Sequence, residues 1–283
     1  KQMMKNYRSK LVGVFGYPVD ENPTIVMMEA AFCERSIDWR YLTLLVDDKH
    51  LKEAFVGMRA MNFEGINLTI PHKVKAIQYV DRLAKSAELI GAINTVVREK
   101  DSLVGYNTDG AGFVRGIKRQ GIELRGKEIA VMGAGGASRA ICVECALAGC
   151  KKISVINRNI QRGTELVELL NHKTDAQAVY IKWAGTVHIP KCDILINATN
   201  IGLYPDCNVP DIDYEDITPQ MIVQDIIPNP ALTPFLKKAK QKGAVIFDGL
   251  SMLVYQGEIA FKLWTGETPN IKTMKKALEQ ENE

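Results

Sequence analysis

Lys73 and Asp109 are the residue types that move and steer protons, and each stands in a polar cluster. The clusters are Asn67-Leu68-Thr69-Ile70-Pro71-His72-Lys73 and Gly105-Tyr106-Asn107-Thr108-Asp109-Gly110, with Gly91-Ala92-Ile93-Asn94-Thr95 between them. All three lie at the ends of short apolar runs that read as strands, and in parallel sheets ligands bind outside the carboxyl ends of strands. Burial in a partly dry cleft lowers a lysine's pKa towards the operating pH, which suits it to general acid/base work. A neighbouring carboxylate can orient the lysine or a substrate hydroxyl, but it opposes the burial effect by holding the lysine charged. Each residue alone also has a plainer reading: Lys73 as a surface lysine capping a short helix, Asp109 as an N-cap, His72 as structural or solvent-facing with no role assigned.

A second feature asks for a nucleotide. The apolar run Glu128-Ile129-Ala130-Val131-Met132 leads into Gly133-Ala134-Gly135-Gly136-Ala137-Ser138-Arg139, and small, helix-forming residues continue to Gly149. Strand, glycine turn and helix together hold a pyrophosphate: the glycines allow close backbone approach, and the helix N-terminus offers free N–H groups and a positive dipole end. Gly133, Ala134, Gly135, Gly136, Ala137 and Ser138 are therefore candidate cofactor contacts. The next strand, Ile153-Ser154-Val155-Ile156, ends in Asn157-Arg158-Asn159-Ile160-Gln161-Arg162. NAD sites place a carboxylate at that tip for the ribose 2′-hydroxyl. Here there is none, and Arg158 and Arg162 offer forked cationic donors suited to a 2′-phosphate. The expected cofactor is NADP(H), ahead of NAD(H). A hydride carrier acting on an alcohol also requires a proton to move, and Lys73 is the candidate for that step.

The elements that must position these residues follow from periodicity. Strands are expected at 10–15, 39–45 and 65–69, helices at 25–33 and 48–61, and a hairpin from 93–97 and 103–106. A helix over 109–120 leads into a strand–helix alternation: strands 128–132, 153–156, 178–182, 193–196, 221–225 and 244–247, with helices 137–149, 160–171 and 233–241. That is a doubly wound pattern. Closing helices over 249–263 and 273–279 are expected to return to the first domain. The fold class is α/β in two domains: a mixed αβα substrate domain over 1–110, joined by helices in 250–283, and a Rossmann NADP-binding domain over 111–249.

With 36 basic and 33 acidic residues the net charge is +3, which provides no polybasic footprint for nucleic acid or an anionic membrane. No uninterrupted apolar run is long enough to span a bilayer. Lys1-Gln2-Met3-Met4-Lys5-Asn6 lacks the apolar core of a signal peptide. Six scattered cysteines do not form a disulfide framework, and Cys142 and Cys145, although spaced CxxC, lie in an expected helix without partners for a metal. No metal is expected. The resulting expectation is a reduced, cytoplasmic protein acting on a small molecule, with a homodimer left open.

Taken together, these segments resemble the shikimate/quinate dehydrogenase family. The match is carried by Gly16-Tyr17-Pro18, the three polar clusters, the glycine loop, Asn157-Arg158, Asn197-Ala198-Thr199, the segment from Asp248 to Gln256, and Leu263-Trp264-Thr265-Gly266. The resemblance implies reversible oxidation of a ring hydroxyl on a cyclic polyhydroxy carboxylate, with shikimate/3-dehydroshikimate as the default pair and quinate as the variant. It implies that Lys73 and Asp109 are the catalytic pair and that Thr69, Asn94 and Gln256 bind substrate hydroxyls. Ile226 and Gly249 would approach the nicotinamide end of the cofactor. Thr199, Met252, Asn157, Arg158 and Arg162 complete the implied cofactor set.

The departures concern the substrate. The family usually carries His-Ser-x-Ser-Pro, whose serines hold the substrate carboxylate. In register, this chain has Glu21-Asn22-Pro23-Thr24-Ile25. Asn22 and Thr24 can still donate hydrogen bonds, but Glu21 would repel an anion. The family's His-Asn is Met28-Glu29 here, and a tyrosine that assists the carboxylate falls at Pro228. Two readings follow: Thr24 replaces a serine hydroxyl with the same substrate bound, or the substrate is a related ring acid, amino-sugar-like compound or neutral polyol. A non-catalytic NADPH-binding regulator and a one-carbon-folate dehydrogenase are the competing classes. Retention of Lys73, Asp109, Asn94 and Gln256 opposes the first, and Asn107-Thr108-Asp109-Gly110 with Gln256 fits the second less well.

Overall fold

A computed structural model describes residues 7–281, so the segment Lys1 to Asn6 lies outside the described residues. The chain divides into two compact units, Lys1–Thr108 with Gly257–Glu283, and Asp109–Gln256. The divisions fall at 108/109 and 256/257, beside the expected 110/111 and 249/250.

The first unit holds β1 (Lys10–Gly16), α1 (Thr24–Glu34), β2 (Trp39–Leu45), α2 (Leu51–Ala60), β3 (Gly65–Leu68), β4 (Arg82–Leu83), α3 (Lys85–Ile90), β5 (Thr95–Glu99) and β6 (Ser102–Tyr106). Its sheet has the order β2-β1-β3-β5-β6-β4. β1 pairs in parallel with β2 and β3, whereas β5 runs antiparallel to both β3 and β6. The register Asn67↔Thr95↔Tyr106 therefore brings the end of β3, the start of β5 and the end of β6 to one edge. One face packs Phe15, Ile66, Leu68, Val96 and Leu103 against Leu51, Phe55 and Met58 of α2 and Ala87 of α3. The other face carries Trp39 and Tyr41, which meet Phe32 of α1 and, from the C-terminal part of the unit, Trp264. Sequence periodicity did not reveal β4, α3 or the 3-10 turn at Lys75–Tyr79, because such short elements carry too few residues to show a period.

The second unit holds α4 (Asp109–Arg119), β7 (Glu128–Met132), α5 (Gly136–Leu147), β8 (Lys152–Asn157), α6 (Ile160–Lys173), β9 (Gln177–Lys182), β10 (Ile194–Asn197), β11 (Ile222–Asp225), α7 (Pro234–Gln241) and β12 (Val245–Phe247). The sheet order is β12-β11-β10-β7-β8-β9, and every neighbouring pair is parallel. Numbered within the unit this is 3-2-1-4-5-6, the order of dinucleotide-binding folds, whose direction of winding reverses between β7 and β10. β7, β8, β10 and β11 are almost wholly buried, as a sheet covered on both faces requires.

α8 (Leu250–Thr265) contains the 256/257 division, and α9 (Ile271–Glu281) packs on α1. Cys142 and Cys145 are fully buried free thiols within α5, and burial pushes the Cys142 thiol up to about 12. No helix among the described residues is long and apolar enough to cross a membrane.

Candidate functional site

In the first unit, backbone hydrogen bonds tie the three polar clusters into one edge. Thr69 N–H donates to the Phe15 carbonyl at 3.0 Å, Ile93 N–H to the Lys73 carbonyl at 2.8 Å, and Asn94 N–H to the Tyr106 carbonyl at 3.0 Å. Lys73 is half-buried and Thr69 likewise, whereas Asn94 is 3% exposed. His72 is fully buried, which removes the solvent-facing reading. Its Nε2 lies 2.7 Å from the Val46 carbonyl, so that nitrogen carries the proton. Val46 N–H in turn donates to the Gly16 carbonyl at 3.0 Å. His72 thus fastens the loop that carries Thr69 and Lys73 to the ends of β1 and β2.

Asn94 is the hub of a buried amide–hydroxyl network. Its Oδ1 accepts from Thr108 N–H at 2.7 Å and from the Thr95 hydroxyl at 3.1 Å, and its Nδ2 donates to Thr108 Oγ1 at 2.9 Å. Asn67 Nδ2 donates to the Asn94 carbonyl at 3.2 Å and to Thr95 Oγ1 at 3.0 Å, while its Oδ1 accepts from the Tyr41 hydroxyl at 2.8 Å. Tyr41 is 1% exposed; burial pushes its hydroxyl well above the ordinary tyrosine range, and a hydrogen bond from Thr24 acts the other way. Asn22 Oδ1 accepts from Thr24 N–H at 3.1 Å. Tyr41 of β2 is thus tied through Asn67 to the Asn94 backbone carbonyl.

Tyr41 and Asn67 were not among the expected site residues. Asn67 left a signal, an amide inside the otherwise apolar strand Gly65-Ile66-Asn67-Leu68, since buried amides need partners. Tyr41 left none: it reads as an ordinary strand tyrosine, and its partner stands 26 residues away.

In the second unit, the expected cofactor residues gather at the carboxyl edge of the parallel sheet. Gly133 follows β7 with φ +108°, and a Cβ there would stand 2.9 Å from the Ala198 carbonyl oxygen, at the switch between β7 and β10. Ser138 Oγ donates to the Gly133 carbonyl at 2.7 Å, closing the loop onto the first turn of α5. Ala134 and Ala137 are half-buried, and Gly135 and Gly136 are exposed, with no atom within 4 Å of where a Cβ on either would stand. No side chain caps α5 at Gly135. An open cradle before an uncapped helix N-terminus is what a pyrophosphate requires, so these residues fit a dinucleotide.

At the end of β8, Asn157 Nδ2 donates to the Asn159 carbonyl at 2.8 Å, and Asn159 caps α6 by accepting from Arg162 N–H at 2.9 Å. Arg158 is exposed, with its guanidinium 5.6 Å from the Trp183 ring centre, while Arg162 stands exposed in the first turn of α6. Both cations are available to a phosphate at the β8 tip. Behind β10 and β11, fully buried Asn197 accepts from the Thr199 hydroxyl at 2.7 Å and donates to Asp225 Oδ1 at 3.1 Å. Asp225 also accepts from the Thr233 hydroxyl at 2.7 Å, and burial raises its pKa against these donors. The Asn197–Asp225 pair holds the turns that bear Thr199 and Ile226. A Cβ on Gly249 would stand 2.4 Å from the Ile226 carbonyl, so Gly249 and Ile226 sit in direct backbone contact. Met252 is 8% exposed in α8, and Gln256 Nε2 donates to the Leu253 carbonyl at 3.0 Å. Asp109, 9% exposed, is the first residue of α4.

Three family models match the chain. Residues 14–96 match the family "Shikimate dehydrogenase substrate binding domain", residues 117–204 "Shikimate / quinate 5-dehydrogenase", and residues 249–279 "Shikimate 5'-dehydrogenase C-terminal domain". A shikimate dehydrogenase (NADP(+)) of Desulforamulus reducens is 38% identical over 281 residues, 98% of this chain and 97% of that protein. The ligand-free crystal structure of a 5-ketofructose reductase from Gluconobacter sp. strain CHM43 superposes with a TM-score of 0.94 at 41% identity, covering 97% of this chain and 99% of that one. A shikimate dehydrogenase in complex with NADP+ superposes with a TM-score of 0.89 at 36% identity, covering 98% and 97%. A dinucleotide unit with arginines at its second strand tip, a polar-edged substrate unit and relatives spanning almost the whole length lead to one conclusion: the chain belongs to the shikimate/quinate dehydrogenase family of NADP-dependent oxidoreductases.

Proposed function

We propose that this protein catalyses reversible hydride transfer between NADP(H) and a secondary alcohol/ketone on a polyhydroxylated small molecule, with shikimate/3-dehydroshikimate as the reference pair. NADP(H), when bound, supplies or takes up the hydride. The work left to the protein's own residues is to hold the hydroxyls and to move one proton at the reacting oxygen. Lys73 gives that oxygen a proton during ketone reduction and removes one during alcohol oxidation. Asn94, held rigid by Thr95 and Thr108, orients a hydroxyl beside it. Asp109, Thr69 and Gln256 are assigned to substrate positioning. Gly133 to Ser138 hold the pyrophosphate, Arg158 and Arg162 the 2′-phosphate, and Thr199, Ile226, Gly249 and Met252 the nicotinamide side.

The observation that carries this reading is the joining of all three polar clusters at one sheet edge, with the Lys73 carbonyl fixed by Ile93 N–H and the Asn94 side-chain amide fixed by three groups. A non-catalytic regulator would need no such construction. Substituting Lys73→Ala should leave NADPH affinity unchanged and lower turnover by about 10²–10⁴-fold, the usual worth of general acid–base catalysis. Near-full turnover in that variant refutes the assignment. A second reading, reduction of a neutral polyhydroxy ketone, is favoured by one observation: Asn22, which aligns with the first of the family's carboxylate-binding serines, has its Oδ1 engaged by Thr24 N–H within the protein.

A further inference from the structure

Helix α5 ends in a cap that sets two thiols side by side. Gly149 follows the helix with φ +93°, its N–H donates to the Ala146 carbonyl at 2.9 Å, and Cys150 N–H donates to the Cys145 carbonyl at 3.1 Å. These are the two bonds of a Schellman motif, which commonly brings the third-last helical side chain into contact with the residue after the glycine. Here both are cysteines, and both are free thiols. With standard bond lengths, the 3.1 Å bond holds their Cα atoms within about 6.5 Å, inside the span of a disulfide. The cap is also fixed from outside the helix. Gly126 N–H donates to the Gly149 carbonyl at 2.8 Å, and Lys151 N–H donates to the Lys127 carbonyl at 2.8 Å.

The two thiols differ in access. Cys145 is 0% exposed, whereas Cys150 lines a cavity of about 640 Å³ with Arg125, Lys151, His172, Lys173 and Asp175. Three cations and a histidine against one acid favour a thiolate at that wall, and the thiolate is the reactive form of cysteine. Facing Cys145 holds the Cys150 thiol below the ordinary thiol range against its burial, while facing Cys150, together with burial, pushes the Cys145 thiol well above it. Cys142, one turn earlier, is 0% exposed with its sulfur 4.0 Å from Ser138 Oγ, and burial pushes its thiol up to about 12. It is neither reached nor acidic.

We infer that Cys145 and Cys150 form a reversible dithiol–disulfide couple that takes a small hydroperoxide as its oxidant, with Cys150 attacking and Cys145 resolving. The Cys150 thiolate attacks one peroxide oxygen, the O–O bond breaks, and the departing hydroxide takes up the thiol's proton as water, leaving a sulfenic acid on Cys150. The Cys145 sulfur then attacks that sulfur: the S–S bond forms, the S–O bond breaks, and hydroxide leaves with the Cys145 proton as a second water. One peroxide is reduced and two thiols are oxidised, and a dithiol reductant reverses the bond. The couple stands where β8 begins, at the edge of the sheet opposite the glycine loop, and does not rest on the hydride reaction.

The test uses the full chain carrying Cys33→Ser and Cys207→Ser, which removes the two exposed thiols. Folded protein is treated with equimolar hydrogen peroxide, unfolded, alkylated and digested with trypsin, which leaves Cys142, Cys145 and Cys150 in one peptide, Ala140 to Lys151. That peptide should carry a single alkyl group, on Cys142, and should carry three when dithiothreitol precedes alkylation. In Cys145→Ser, dimedone should trap a sulfenic acid on Cys150, and Cys150→Ser should give neither product. The peptide map carries the test if Cys145→Ser melts. The oxidised protein should melt about 4–8 °C above the reduced one, the worth of closing so short a loop. The inference is overturned if the single alkyl group lies on Cys150, which marks a Cys142–Cys145 bond. It is overturned equally if all three thiols stay open at peroxide doses that oxidise Cys33 and Cys207 in the wild type, or if the disulfide form melts no higher than the reduced one.

Discussion

Substituting Gly135→Ala separates what the glycine loop does for the fold from what it does for the ligand. Gly135 has φ −84° and ψ −172°, a conformation that alanine adopts, and a Cβ there meets nothing within 4 Å. On stability, two small terms oppose each other. Restricting the unfolded chain contributes about 0.4–1 kcal/mol, and replacing glycine by alanine at an N-cap costs about 0.5–1 kcal/mol. The net is within about 1 kcal/mol, a melting shift of at most about 2–4 °C for a unit of this size. The new methyl points into the cradle before α5, where a pyrophosphate must approach the N–H groups. Losing one charge-assisted hydrogen bond there costs about 1.5–3 kcal/mol, or about ten- to a hundredfold in NADPH Kd. Gly133→Ala is the contrast. There φ is +108° and the methyl would stand 2.9 Å from the Ala198 carbonyl oxygen, so backbone strain of about 1–3 kcal/mol appears as lost stability before any ligand is added. The assay is thermal melting of each variant with and without NADPH, alongside direct titration of the cofactor. The reasoning is refuted if Gly135→Ala binds NADPH as tightly as the wild type, or if it melts as early as Gly133→Ala in the absence of ligand.

Three further outcomes are expected. Arg158→Ala should raise the KM for NADPH by about ten- to a hundredfold and leave that for NADH nearly unchanged, measured by steady-state kinetics with both cofactors, because a forked charge-assisted contact to the 2′-phosphate is lost. Asn197→Ala should destabilise the protein by about 1.5–3 kcal/mol in denaturant unfolding, since the buried Asp225 carboxyl loses a donor at 3.1 Å. Asp81, whose carboxyl accepts from Leu103 N–H and then from Arg59, is held below the usual aspartate range. A lowered folded-state pKa contributes stability that is present above the unfolded value of about 4 and is lost as pH falls through the folded one. Asp81→Asn should therefore flatten the acid limb of a stability-versus-pH curve below about pH 4 and change it little at neutral pH.

What the sequence by itself determined was local. The glycine loop, the missing acid after the second strand of the dinucleotide unit, and the strand–helix alternation depend on residues within a turn or two of one another. Short-range backbone sterics and hydrophobic periodicity dictate them. The polar clusters around Lys73, Asn94 and Asp109 were legible for the same reason, as polar residues closing apolar runs. The tertiary structure decided three other things. It decided strand order, including the placement of β5 between β3 and β6, which depends on pairing between distant segments. It decided the burial of His72 and its bond to Val46, 26 residues away, which no spacing announces. And it decided the orientation of the Asn67 amide. In sequence Asn67 is an amide inside an apolar strand, able to turn either way. Only when β2 brings Tyr41 to Asn67, and β5 brings the Asn94 carbonyl to the Asn67 amide, does one orientation remain, because each group in that buried file has only one way to satisfy its neighbours.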